Sequence, residues 1–179
     1  MKSPSARESI VSTASRLFYK QGYSNTGVNQ IIEEAGIAKS TLYQLFRSKE
    51  DLLIVYLEET GKKTAEALRQ AAEGQDAPRE KVIAIFDFLE VLVTQPAFYG
   101  CHFLNIIYEM PDGEKRVRAQ IKKQKDVVRG LFAEFLAPVR QEQLADEIYT
   151  LFEGALIGHK IHNANWPIAS AKNTLLRIL

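Results

Sequence analysis

The chain has a single cysteine, Cys101, in 179 residues. That excludes an internal disulfide and fits a reducing compartment. No run of residues is long and apolar enough to span a bilayer. The start, MKSPSARESIV, lacks the apolar stretch of a signal peptide. These absences point to a cytoplasmic protein with no membrane contact. A surplus of charge is missing too: 23 Lys and Arg stand against 22 Asp and Glu, a net charge of +1. A protein that coats nucleic acid by bulk charge is not built this way. Strand-like alternation, internal repeats and low-complexity tracts are also lacking. The remainder is ordinary globular composition, 46% apolar and 25% charged. The length allows one or two domains.

The most informative stretch is Thr26 to Leu53, TGVNQIIEEAGIAKSTLYQLFRSKEDLL. Val28, Ile31, Ile32 and Ala35 make the apolar stripe of an amphipathic helix. Gly36 follows where a helix end favours a left-handed residue. Leu42, Leu45 and Phe46 begin a second stripe. Two short helices across a glycine turn form a helix-turn-helix pattern. Its second helix would turn Lys39, Ser40, Thr41, Tyr43 and Gln44 outward, groups able to bond phosphates and base edges. Ser48 and Asp51 read as a capping box for the next helix, with Lys49 beside its free amides. An ordinary helical hairpin with a wet polar face would show the same periodicity, so pattern alone leaves both readings open. Residues 1–50 carry seven Lys or Arg and four Asp or Glu, +3, which leaves −2 for the rest.

The residue identities go further. The run G-I-A-K-S-T-L-Y-x-x-F-x-S-K-E-D-L-L resembles the DNA-binding domain of TetR-family transcriptional repressors, and Ile10, Ala14, Leu17, Phe18, Gly22, Tyr23 and Thr26 also match the family pattern. Two positions depart from it. Leu45 stands where the family carries His, Tyr or Asn, and Ala38 replaces the usual Ser, which weakens the cap of the second helix. The resemblance implies an all-α protein of about nine helices: a three-helix head over 1–50, and an effector-binding and dimerisation domain over 51–179. It implies DNA contacts from Thr26, Lys39, Ser40, Thr41, Tyr43, Gln44 and Lys49. It further implies a homodimer on a palindromic operator, released by a small, partly apolar effector.

The rest of the chain reads as helices in series. Ser5 and Glu8 form a capping-box pattern that opens the first helix, and Gly22 ends it. Arg7 there is either a phosphate contact or a solvated charge. A long helix runs from Ser48 to about Ala72. The helix from Pro78 to Thr94 is apolar around most of its girth and should be buried. Pro96 to Asp112 is chemically varied, with a short helix expected over 101–109, and Gly100, Cys101, Asn105 and Glu109 resemble a pattern of one TetR subgroup. Candidate effector-pocket residues are Tyr56, Phe86, Leu89, Phe103, Asn105, Tyr108, Glu109, Phe132 and Phe152, although packing alone would explain any one of them. Asp112 is expected to cap a long helix to Phe135. Ile121, Val127, Val128, Leu131, Phe132 and Phe135 would face inward, and the basic residues between 115 and 129 would form a solvated face.

The helix from Gln141 to Asn163 and the last one, from near Pro167 to Leu179, carry apolar surface suited to a two-fold contact. Leu144, Ile148, Leu151, Gly154, Ala155, Gly158, Leu175 and Leu176 are its candidates. Other function classes have less behind them. An enzyme is not expected: Cys101 and His102 are merely adjacent. His159 and His162 lack a third ligand in sequence, so no metal or cofactor is expected. A protein–protein adaptor with a degenerate helix-turn-helix would not need Lys39, Thr41, Tyr43 and Lys49.

Overall fold

Helix starts follow the chemistry of their first residues. In a computed structural model that describes residues 4–179, Ser5 Oγ accepts from the Glu8 N–H at 3.3 Å and the Glu8 carboxylate accepts from the Ser5 N–H at 2.7 Å. This reciprocal cap opens helix α1 (Ala6–Gln21). Then come α2 (Val28–Ala35), α3 (Lys39–Leu45), α4 (Lys49–Ala71), α5 (Pro78–Leu92), α6 (His102–Glu109), α7 (Lys115–Leu136), α8 (Ala145–His162) and α9 (Trp166–Ile178). Short 3-10 turns at Ala137–Val139 and Glu142–Leu144 separate α7 from α8. Among the described residues there is no strand, and no helix is long and apolar enough to cross a membrane. Residues 1–3, part of the N-terminal stretch read above, lie outside the described ones.

Two compact units form. The first runs to Gly61 and takes in His102–Lys122; the second comprises Lys62–Cys101 and Lys123–Leu179. The sequence places a boundary after residue 50, whereas the first unit extends past it and gathers a segment from mid-chain. Its core is built by Ile10, Ala14, Leu17 and Phe18 of α1, Ile31 of α2, Leu42 of α3, and Leu52, Leu53, Tyr56 and Leu57 of α4, all buried. Phe18 meets Tyr23 and Tyr56 edge-on, with centroids 5.3 and 5.8 Å apart, the arrangement that aromatic quadrupoles favour.

The second unit is centred on three phenylalanines. Phe152 of α8 lies 6.2 Å from Phe86 of α5 and 5.8 Å from Phe132 of α7, both edge-on. Val82, Ile85, Leu89, Leu131, Ile148, Ile168 and Leu175 are buried around them. The α8–α9 corner is tight: a Cβ on Gly158 would sit 2.8 Å from Pro167 Cβ. Gly158 therefore serves packing within this chain.

Several expectations need correction. Helix α7 starts at Lys115, and Asp112 instead accepts from Arg118 at 2.9 Å. Val127 is 44% exposed while Val128 is buried, because one residue along a helix is a turn of about 100°, enough to leave the stripe. The basic face is not simply solvated. Lys125 is nearly buried and donates to both Glu153 oxygens at 2.7 Å and to Cys101 Sγ at 3.2 Å. Burial pulls its ammonium down, but Cys101 and Glu153 outweigh that, so its pKa is raised. Arg129 pairs with Asp146. Ile148, Ala155 and Leu175 are covered by the unit's own core, which removes them from any surface a second subunit would meet.

Phe132→Ala should cost about 3–5 kcal/mol by opening a cavity among rigid neighbours. Chemical denaturation checks this; a loss below 1 kcal/mol would show that the site collapses freely.

Candidate nucleic-acid interface

The turn between α2 and α3 is fixed by backbone chemistry. Gly36 adopts φ 64°, ψ 39°, where a side chain would be strained. Its N–H donates to the Glu33 carbonyl at 3.1 Å, and the Ile37 N–H reaches back to the Ile32 carbonyl at 3.2 Å. These two bonds are the Schellman end of a helix. Helix α3 then starts at once. Ala38 offers no side-chain cap, as its methyl group requires. The helix is held by Leu42, fully buried, and by Phe46, which follows in extended conformation and points into the core. Leu45 is the exception to the expected stripe. The helix ends at this residue, Phe46 takes the inward place, and Leu45 is left 44% exposed.

The opposite face of α3 is open. Lys39, Ser40, Tyr43 and Gln44 are exposed and Thr41 is partly so, with Tyr43 at 48%. Arg47, just beyond the helix, is also exposed and was not among the residues chosen from sequence; its place next to the apolar Phe46 was the available signal. Arg7 lays its guanidinium 5.7 Å from the centre of the Phe46 ring.

Two chosen residues have work inside the head. Thr26 is 1% exposed, and its hydroxyl donates to the Gly22 carbonyl at 2.6 Å. It closes the α1–α2 turn, so its side chain does not face outward. Lys49 donates to the Tyr23 carbonyl at 2.7 Å and sits 4.0 Å from the centre of the Tyr23 ring. Burial lowers its pKa, partly offset by the charge of Glu109. Burial also raises the Tyr23 phenol, aided by Glu50 and Glu114.

Further ties brace α2 and α3. Arg16 of α1 pairs with Glu34 of α2, and Gln21 donates to Gln30 at 2.9 Å. Ser48 Oγ accepts from the Asp51 N–H at 3.1 Å, which caps α4. Arg116 of α7 reaches Asp51 at 2.6 Å and Glu50 at 3.3 Å. It holds the Asp51 carboxyl below its usual value.

A sequence profile described as "Bacterial regulatory proteins, tetR family" matches residues 10–55, the span from α1 into α4 that builds this head. The head is thus similar in sequence to the tetR family of bacterial regulatory proteins. One relative, the uncharacterized HTH-type transcriptional regulator YxaF of Bacillus subtilis (strain 168), is 42% identical over 78 residues, covering 43% of this chain and 41% of that one. The chain thus spans less than half the length of that relative. The HTH-type transcriptional repressor NemR of Escherichia coli (strain K12) is 23% identical over 177 residues, 92% of this chain and 89% of the other. Among solved structures, a TetR-family transcriptional regulator from Streptomyces coelicolor superposes with a TM-score of 0.87 at 24% identity, over 97% of this chain and 87% of that one. This likeness shows the fold.

The effector-pocket candidates divide between the two units. Tyr56, Phe103, Asn105, Tyr108 and Glu109 are in the first; Phe86, Leu89, Phe132 and Phe152 are in the second. Tyr56 is buried, and its hydroxyl hydrogen-bonds His102 Nδ1 at 2.6 Å; that imidazole stacks on Tyr19 at 3.6 Å. Phe103 is buried, while Tyr108 is 76% exposed. Glu109 accepts from the Tyr23 and Ser24 N–H groups. Phe86, Leu89 and Phe132 are core residues. His159 hydrogen-bonds the Ala164 carbonyl at 3.0 Å, and His162 lies against Trp166.

Arg116→Ala should weaken the head at neutral pH. Asp51 has a depressed pKa, so it contributes stability above its ordinary value of 3.8, and that contribution is lost as pH falls through the lower, folded-state value. Thermal melts should therefore show wild type and variant differing at pH 7 and converging in acid. A difference that persists unchanged in acid would contradict the assignment.

Proposed function

We propose that this chain is a homodimeric repressor that binds a palindromic operator through α3 and is released by a small-molecule effector. The observation that carries the reading is the open face of α3. Lys39, Ser40, Tyr43 and Gln44 are exposed on a helix whose other side is pinned by Leu42. A cation, a hydroxyl, a phenol and an amide on one accessible face suit phosphate and base-edge contacts in a major groove. With Thr26 turned inward and Lys49 bound to Tyr23, the DNA contacts fall to Lys39, Ser40, Thr41, Tyr43 and Gln44, with Arg47 added. Leu45 would offer an apolar contact where the family usually has a polar one. DNA binding in turn supports a cytoplasmic location.

A two-fold assembly is supported by apolar surface left open on the last two helices. On α8, Gly154 is exposed with nothing near its would-be Cβ, and Ile161 is 70% exposed. On α9, Trp166 and Leu176 are exposed. Leu144 and Leu151 complete the candidate face. Two such faces, related by a two-fold axis, would form an isologous contact. Each subunit then presents one recognition helix, and the half-sites lie about one helical turn or more apart. Repression is supported by the name of the NemR relative. An effector that favours a head arrangement unable to fit successive grooves needs a coupling of about 1–3 kcal/mol. The Tyr56–His102 pair is the polar group we assign to effector recognition, beside the apolar Phe103.

Selection from a random DNA pool should yield one inverted-repeat site. Lys39→Ala with Tyr43→Ala should abolish binding to it in a gel shift and leave the dimer intact by light scattering. Undiminished binding by the double variant would mean that another element reads the DNA. A monomer at micromolar concentration would overturn the two-fold arrangement.

A further inference from the structure

Glu109 is the last residue of α6. A carboxylate there is disfavoured by the negative end of the helix dipole, so its place calls for a partner outside the helix. The partner is the turn between α1 and α2. Glu109 Oε2 accepts from the Ser24 N–H at 2.7 Å and Oε1 from the Tyr23 N–H at 3.3 Å. Hydrogen bonds to an ionised acceptor are among the strongest a backbone amide makes. The preceding residue, Gly22, has φ +91°, and a Cβ on it would stand 2.9 Å from Glu109 Oε1 and 3.2 Å from Oε2. Glycine is thus required here by the backbone angle and again by the approach of Glu109.

The same peptide is gripped on its other side. The Tyr23 carbonyl accepts from Lys49 Nζ at 2.7 Å and from the Thr26 N–H at 3.1 Å. One turn therefore ties the end of α1, the start of α4 and the end of α6, and it leads directly into α2. These groups all belong to the first unit.

We propose that Glu109 is a positioning residue for DNA reading: its carboxylate latches α6 to the Tyr23–Ser24 amides, and α6 thereby sets the placement of α2 and, through the Gly36 turn, of α3. This rests on the regulator reading above. A displacement of α6 would reach the reading helices through this contact, and loosening the latch would lower operator affinity without unfolding the chain.

Amide hydrogen exchange over 22–27 and anisotropy on the selected DNA site test the latch in the full chain. Glu109→Ala should speed exchange at Tyr23 and Ser24 and leave α5 amides at wild-type rates. Its affinity per folded molecule should fall about tenfold, within the usual range of coupling between sites. Glu109→Gln keeps one carbonyl oxygen as an acceptor, so it should fall between Glu109→Ala and wild type; it carries the same test if the alanine variant does not fold. Faster exchange with unchanged affinity would leave only a structural cap and overturn the positioning role. Unchanged exchange would overturn the latch itself. A wild-type protein that selects no DNA contradicts the regulator reading alone, because the exchange rates still decide the latch.

Discussion

Helix α3 is seven residues long and begins without a side-chain cap. An isolated helix of fewer than about 12–15 residues is marginal in water, so α3 exists only because its surroundings hold it. Leu42 and Phe46 supply the apolar anchor. The Gly36 turn fixes its direction from α2. Everything that orients α2 therefore orients the open face of α3, and the first unit can be understood as a set of ties on that short pair.

Those ties are of different physical kinds. The Arg16–Glu34 pair is exposed, and such pairs contribute little on their own. Burial of Ile10, Leu17, Phe18 and Ile31 contributes far more. The bonds that specify geometry are those to backbone groups at the α1–α2 turn: Thr26 to Gly22, Lys49 to Tyr23, and Glu109 to Tyr23 and Ser24. Apart from the exposed Ser24–Glu109 bond, they use half-buried donors and acceptors whose loss would leave partners unsatisfied. The second unit follows a simpler rule, with a phenylalanine cluster at its centre and apolar surface remaining on α8 and α9.

Much of this was legible in the chain. Local chemistry marked the Ser5 cap, the Gly36 turn, the uncapped start at Ala38, and the order of helices, because each depends on neighbours a few residues away. The outward set on α3 was readable from periodicity. Tertiary bonds were not. Nothing local says that Lys49 gives its ammonium to the Tyr23 carbonyl, 26 residues away. Gly22 and Glu109 are separated by most of the head and half the body, and no pattern in either segment announces the other. Lys125 looked like one more cation on a basic face until Glu153 of another helix was found beside it. Leu45 and Val127 were misplaced by a single residue's rotation, the finest error that helical periodicity allows.

The central claim is that α3, presented twice by a two-fold dimer, reads an inverted-repeat site. Hydroxyl-radical footprinting of the wild-type protein on its selected DNA tests it most directly. Two dyad-related patches of protection on one face of the duplex, centred about one helical turn or more apart, are the predicted result. A single patch, or even protection along the whole duplex, would contradict it.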